Sequence, residues 1–214
     1  PEFAYLPRKF KIAINGSVND RAAIEVHDIG LEPVRNAAGD LGFRVLVGGG
    51  LGRTPVVGAF INEFLPWQDL LSYLDAILRV YNRYGRRDNK YKARIKILVK
   101  ALTPEVFAEK VDAEMAHLRG GSTTLTEAEL HRVAKHFVDP EYKALENLDH
   151  ELAELEQQHP GFARWRARNT RAHKRSGYVA VTLSLKPTGV APGDLTDKQL
   201  DAVADLAERY SFGQ

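Results

Sequence analysis

Cysteine is absent from all 214 residues. That absence excludes disulfides, iron–sulfur ligation and thiolate catalysis within the chain, and it fits a reducing compartment. Long apolar runs are missing too: no stretch approaches the roughly 18 residues of a membrane span. The N-terminal residues show no basic segment followed by an apolar one, so no secretory signal is read there. A cytoplasmic protein with no membrane partner is the expectation. Asn15-Gly16-Ser17 matches a glycosylation sequon, but without a secretory signal it carries no argument. The net charge is only +2, so nothing follows from global electrostatics. The sequence has no G-x-S-x-G elbow, no G-x-x-x-x-G-K phosphate loop and no H-E-x-x-H pair.

The composition that remains is that of a globular protein: 44% hydrophobic and 27% charged. The length suffices to bury a core without covalent staples. Charge is segregated along the chain. Arg83–Lys100 holds eight Lys/Arg against one acid, and Arg164–Arg175 holds six against none. Asp139–Glu156 reverses this, with seven acids and one lysine. Concentrated basic charge points to an anionic ligand or to solvated helix faces. The chain begins at Pro1 without a methionine and stops just after a helical pattern, which suggests a piece of a longer protein.

Local patterns divide the chain into elements. Phe10–Ile14 reads as a buried strand, Ala22–Val26 as a second, and Phe43–Val47 as a third running into Gly48-Gly49-Gly50-Leu51-Gly52. Leu31–Arg35 and Gly42–Val47 flank Asn36–Asp40, a hairpin loop. Pro66 opens a helix with Leu70, Leu71, Leu74, Ile77, Leu78 and Tyr81 on one face, ended by Gly85. Ala93–Leu102 reads as a short helix. Thr103-Pro104 caps another to Leu118, with Thr as N-cap. Thr126–Phe137 starts with a capping box, Thr126 and Glu129. Pro140–Gln158 carries the stripe Leu145, Leu148, Leu152 and Leu155, and Pro160-Gly161 ends it. Tyr178–Leu185 alternates as a strand, and Thr196–Tyr210 is an amphipathic helix.

The fold class expected is α+β (mixed α/β). A sheet flanked by helices occupies residues 1–120, and a helical connector 121–160. Residues 161–214 form a ferredoxin-like strand–helix half-unit, which cannot fold as a lone strand.

Gly48-Gly49-Gly50 follows a strand, yet a dinucleotide fingerprint fails because Arg53 stands where a glycine or alanine is required. What survives is a run where backbone can approach a flat or anionic ligand, or simply a tight turn. His131 and His136 are five apart, which does not place two ligands on one helical face. His27 beside Asp28 reads as a catalytic pair or, more often, a hydrogen-bonded turn. On a strand, Lys9 and Lys11 point the same way and repel unless an anion or carboxylate sits between them. Arg87, Lys90 and Arg94 share a helical spacing, with Lys92 and Lys96 in a neighbouring row.

Three segments in order, Leu6-Pro7-Arg8-Lys9-Phe10-Lys11, Leu46-Val47-Gly48-Gly49-Gly50-Leu51 and Arg87-Asp88-Asn89-Lys90-Tyr91-Lys92-Ala93-Arg94-Ile95-Lys96, resemble the siroheme-dependent sulfite and nitrite reductase hemoproteins. Tyr178–Gln214, ending in Tyr210-Ser211-Phe212-Gly213, is similar to the start of that family's next ferredoxin-like half-domain. The resemblance implies a parent enzyme that reduces sulfite to sulfide, or nitrite to ammonia, by six electrons. Its cofactors would be siroheme and a 4Fe-4S cluster whose cysteines lie outside this chain. It implies Lys9 and Lys11 as the catalytic pair facing the substrate anion. Arg8, Gly48, Gly49, Gly50, Arg87, Asn89, Lys90 and Arg94 would contact the cofactor, Arg94 standing where the family has a lysine.

Charge-assisted bonds from such groups contribute roughly 1.5–3 kcal/mol each. The partners implied are sulfite or nitrite, the rest of the parent chain, and a flavoprotein or ferredoxin electron donor. The isolated chain is expected to bind no cofactor tightly and to be inactive. The rival reading is a non-catalytic nucleic-acid or protein interaction module using the basic clusters. Against it, aromatic–basic interleaving is confined to Tyr91, Phe162 and Trp165.

Overall fold

A computed structural model describes residues 2–146 and 148–211. The chain divides into two compact units, residues 1–136 and 137–214. Its mixed α+β architecture agrees with the fold class read from the sequence.

In the first unit, β1 (Ile12–Ile14) pairs parallel with β2 (Ile29–Arg35). β3 (Leu41–Val47) and β4 (Ala59–Pro66) then continue the sheet antiparallel, in the order β1-β2-β3-β4. Ile29 sits opposite Val47, and Leu31 opposite Val45, all four fully buried. On this face lie α1 (Leu70–Tyr84), α2 (Ile95–Leu102) and α3 (Pro104–Leu118). Tyr73, Ala76, Ile77, Val80 and Tyr81 of α1 meet Phe107, Val111 and Met115 of α3 in one core. α4 (Glu127–Ala134) closes the unit.

The alternate side chains face the other way. Arg44 stands opposite Glu32 and bonds it at 3.0 Å, and reaches Glu63 on β4 at 2.9 Å. Arg44 and Glu32 are partly exposed and Glu63 largely so, and screening leaves the Arg44–Glu63 pair little net energy. Glu63→Gln is expected to change stability by less than about 0.5 kcal/mol, read from a urea titration.

Several elements differ from the sequence reading. Ala22–Val26 is not a strand: Ile24–Val26 is a single 3-10 turn entered through Ala23 at φ 54°. The Asp20 carboxylate accepts the Ile24 N–H at 3.1 Å and turns the chain there. β4 was not foreseen, because Asn62 and Glu63 interrupt its apolar pattern. Thr103 does not cap α3 with its side chain; it adopts φ 74°, and Pro104 opens the helix. Thr126 does cap α4, accepting the Glu129 N–H at 3.2 Å, while the Glu129 carboxylate turns to Arg132 instead of completing the box. α4 stops at Ala134, short of Phe137.

The second unit holds α5 (Asp149–Gln158), α6 (Pro160–Asn169), a small hairpin of β5 (Thr170–Ala172) and β6 (Val179–Val181), and α7 (Asp197–Tyr210). Pro160 does not end the helical region but opens α6 at its first turn, where a missing N–H costs nothing. The strand expected over Tyr178–Leu185 is only three residues long. α7 is as expected, with Thr196 and Gln199 forming a full capping box. No described residue of this unit is buried; Val179, Val181, Leu200 and Leu206 are each more than half exposed. The expected ending Phe212-Gly213-Gln214 lies outside the described residues, as does Asn147 within the predicted leucine-striped helix.

Candidate anion-binding site

The basic segment before β1 is anchored by its apolar residues. Leu6 and Phe10 pack against the core, while Lys9 and Lys11 on either side of Phe10 are exposed. This outward–inward–outward order sets the two lysines on the side away from Phe10. Neither ammonium group has a hydrogen-bond or ion-pair partner among the described residues. At the i, i+2 spacing of an extended chain, roughly 7 Å, two such charges in water repel by about 0.6 kcal/mol. A bound anion would relieve that repulsion.

Two buried polar groups hold the segment in place. The carboxylate of Asp28, wholly buried, accepts the Lys11 main-chain N–H at 2.9 Å. It also accepts Arg94 Nε at 2.9 Å and Arg94 Nη2 at 2.5 Å. The Lys11 carbonyl accepts the Ile29 N–H at 3.1 Å, extending the parallel ladder. The phenol of Tyr81, also buried, lies 2.8 Å from the Ala93 carbonyl and 3.1 Å from that of Arg8. Burial pushes the Tyr81 pKa above that of an ordinary phenol.

The predicted residues fall into two groups around these anchors. Arg8 Nη1 donates to the Lys90 carbonyl at 3.0 Å, and Asn89 accepts the Tyr91 N–H at 2.9 Å, capping the 3-10 turn Lys90–Lys92. The Gly48 N–H bonds the Asp28 carbonyl at 3.0 Å. Lys11, Arg8, Gly48, Asn89, Lys90 and Arg94 are thus tied into one connected region. The Lys90 ammonium is exposed and lies 5.2 Å from the Tyr91 ring centre. Arg87 is spent elsewhere, on the Tyr5 carbonyl at 2.7 Å and on Asn82. It lines a cleft of about 300 Å³ with Glu2, Arg79, Asn82 and Arg83 that includes neither Lys9 nor Lys11.

The glycine run packs against the chain itself. A Cβ on Gly49 would lie 2.4 Å from the Glu25 carbonyl oxygen and 2.5 Å from that of His27. Gly48 has φ 81° and abuts Val99, and Gly50 abuts Lys96.

Three residues have roles that the sequence did not assign them. Asp28 read as a possible partner of His27, but His27 does not pair with it, since its Nδ1 lies 2.7 Å from the Ala23 carbonyl. A lone acid directly before a buried strand was the available signal. Tyr81 looked like one more core residue on the α1 stripe. Lys96 is buried, its ammonium donating to the Thr54 carbonyl at 2.7 Å and more weakly to that of Leu51 at 3.3 Å. No cluster of metal-ligating side chains occurs among the described residues, and no described helix is long and apolar enough to cross a membrane.

Residues 1–119, nearly all of the first unit, match the family model described as the nitrite and sulphite reductase 4Fe-4S domain. The chain belongs to this family. It is 32% identical over 119 residues to sulfite reductase (ferredoxin) 1 of Mycolicibacterium paratuberculosis, covering 56% of this chain and 21% of that protein. It is 34% identical over 118 residues to the ferredoxin–nitrite reductase of Leptolyngbya laminosa, covering 55% and 23%. The Mycobacterium tuberculosis NirA protein has a similar structure, with a TM-score of 0.50 and 32% identity over 55% of this chain and 21% of that one. The chain thus spans about a fifth of the length of these relatives. The family is named for a 4Fe-4S cluster, yet this reductase-family chain contributes no thiolate to one.

Proposed function

We propose that the first unit is the anion-handling part of a sulfite or nitrite reductase, in which Lys9 and Lys11 bind the substrate oxygens. The observation that carries this is the pair of exposed ammonium groups, without partners among the described residues, on a segment clamped at both ends by buried side chains. Such a pair suits a small oxyanion, whose reduction removes oxygen as water and consumes protons. Ammonium groups can both stabilise the departing charge and supply protons to it.

The donor set fits the carboxylate rim of siroheme: the exposed Lys90 ammonium has no hydrogen-bond or ion-pair partner among the described residues, and the partly buried Arg8 lies beside it. Arg87, Asn89 and Arg94 would act by shaping the segments that carry those groups, since their own polar atoms have protein partners. Gly49 would hold the β3 end close to the 3-10 turn beneath, and Gly48 and Gly50 would hold it against Val99 and Lys96 of α2. The chain does not fit a 4Fe-4S cluster, because it has no cysteine. When bound in the parent protein, siroheme would supply the iron that receives substrate and electrons.

The full reaction would be six-electron reduction of sulfite to sulfide, or of nitrite to ammonia, with ferredoxin or a flavoprotein as donor and the cytoplasm as its place. Residues 1–120 would form the siroheme-side domain and 121–160 a connector. Residues 161–214 would be part of the following ferredoxin-like half-domain.

The isolated chain is expected to show no tight siroheme binding and no turnover. Adding siroheme and recording the visible spectrum checks this. Stoichiometric binding with turnover by the chain alone would refute the division of labour proposed here. Reduction of neither sulfite nor nitrite by the full-length parent with a reduced dye would refute the function itself.

A further inference from the structure

We propose that Asp28 is a positioning residue for the anion site, setting the direction of the Lys11 side chain through the Lys11 main chain. This rests on the reading of Lys9 and Lys11 given above. Asp28 touches neither ammonium group. Its carboxylate accepts the Lys11 N–H at 2.9 Å while Ile29, the next residue along, donates to the Lys11 carbonyl at 3.1 Å. The peptide groups on both sides of the Lys11 Cα are therefore fixed from one short stretch. The same residue's carbonyl accepts the Gly48 N–H at 3.0 Å, so the end of β3 is tied to the same point.

Arg94 makes this anchor possible. A bare carboxylate buried beside two lysines would draw an ammonium group inward and fill the site with its own counter-charge. The Arg94 fork occupies both carboxylate oxygens at 2.9 and 2.5 Å and holds the charge in place. The fork leaves a second lone pair on each oxygen, and the Lys11 N–H takes the one on Oδ2. The lysine ammonium groups are thereby left to an outside anion. In this arrangement Arg94 acts through Asp28.

Two double substitutions separate positioning from mere charge balance. Asp28→Asn with Arg94→Gln removes both charges but keeps an oxygen for the Lys11 N–H. Asp28→Ala with Arg94→Met removes both charges and the oxygen. In the 214-residue chain, amide exchange at Lys11 is expected to rise about 50-fold in the Ala/Met pair and less than about 5-fold in the Asn/Gln pair. Core amides such as Leu31 should stay within about 3-fold in both. In the full-length holoenzyme, the Ala/Met pair is expected to raise KM for sulfite about 10-fold with kcat changed less than about 3-fold, and the Asn/Gln pair to leave KM near its original value.

Equal behaviour of the two pairs in either measurement overturns the proposal, since charge balance alone then accounts for Asp28. Should the Ala/Met pair fail to fold, Asp28→Thr with Arg94→Met carries the same expectation, its hydroxyl being too short to reach. Lys9→Ala that leaves the sulfite KM unmoved would instead overturn the functional reading, whatever the exchange data show.

Discussion

Replacing Lys9 and Lys11 together by alanine is expected to lower kcat/KM for sulfite in the parent enzyme by about 10³-fold. The size follows from what is removed. Each ammonium group supplies charge-assisted hydrogen bonds to an anion, and each such donor is worth roughly 10² or more in rate when aimed at developing charge. The two act on one small ligand, so their effects should not be independent. Both side chains are exposed and have no partner among the described residues, so the melting temperature should hardly move. Lys→Arg at both positions should fall between, because a planar fork replaces a compact point charge. Full activity in the alanine pair would end the assignment of these residues to the substrate.

Gly49→Ala is expected to cost about 3 kcal/mol of stability, seen as a lower urea midpoint with an unchanged slope. The new Cβ would meet the carbonyl oxygens of Glu25 and His27 at 2.4 and 2.5 Å, and both are backbone. The Glu25 carbonyl cannot turn aside cheaply, since it already accepts the Gly58 N–H at 2.7 Å. Gly16→Ala is the control, since nothing lies within 4 Å of a Cβ there, and it should change stability by less than about 0.5 kcal/mol. If Gly49 serves only to let a cofactor approach, alanine would leave the urea midpoint alone and weaken ligand binding instead.

Much of the first unit was legible because its periodicities are clean. The hairpin around Asn36–Asp40 follows from alternation on both sides of a turn, and α1 from a stripe at three- and four-residue spacing. β4 was hidden because the polar Asn62 and Glu63, adjacent in its middle, break the alternation that marks a strand. Ala22–Val26 misled because short β-branched runs suit strands, whereas Asp20 caps a turn there through a side-chain bond that hydropathy does not register. The site was legible as charge but not as scaffold. Lys9 and Lys11 stand out in the sequence, while Asp28, sixty-six positions from Arg94, acquires its role only through folding. Arg94 shows the converse: its charge suggested a ligand, and the fold gives it a buried carboxylate.

β1 is a three-residue strand at the edge of the sheet, and Ile12 and Ile14 on it are 40% and 56% exposed. An open apolar edge of this kind is a template onto which a strand from another molecule can add. Lys11 stands at its mouth, and charge so placed is a common means of blocking such addition. On the proposed reading, the charge on Lys11 would also oppose strand addition along β1, so one residue would answer to both reactivity and colloidal behaviour.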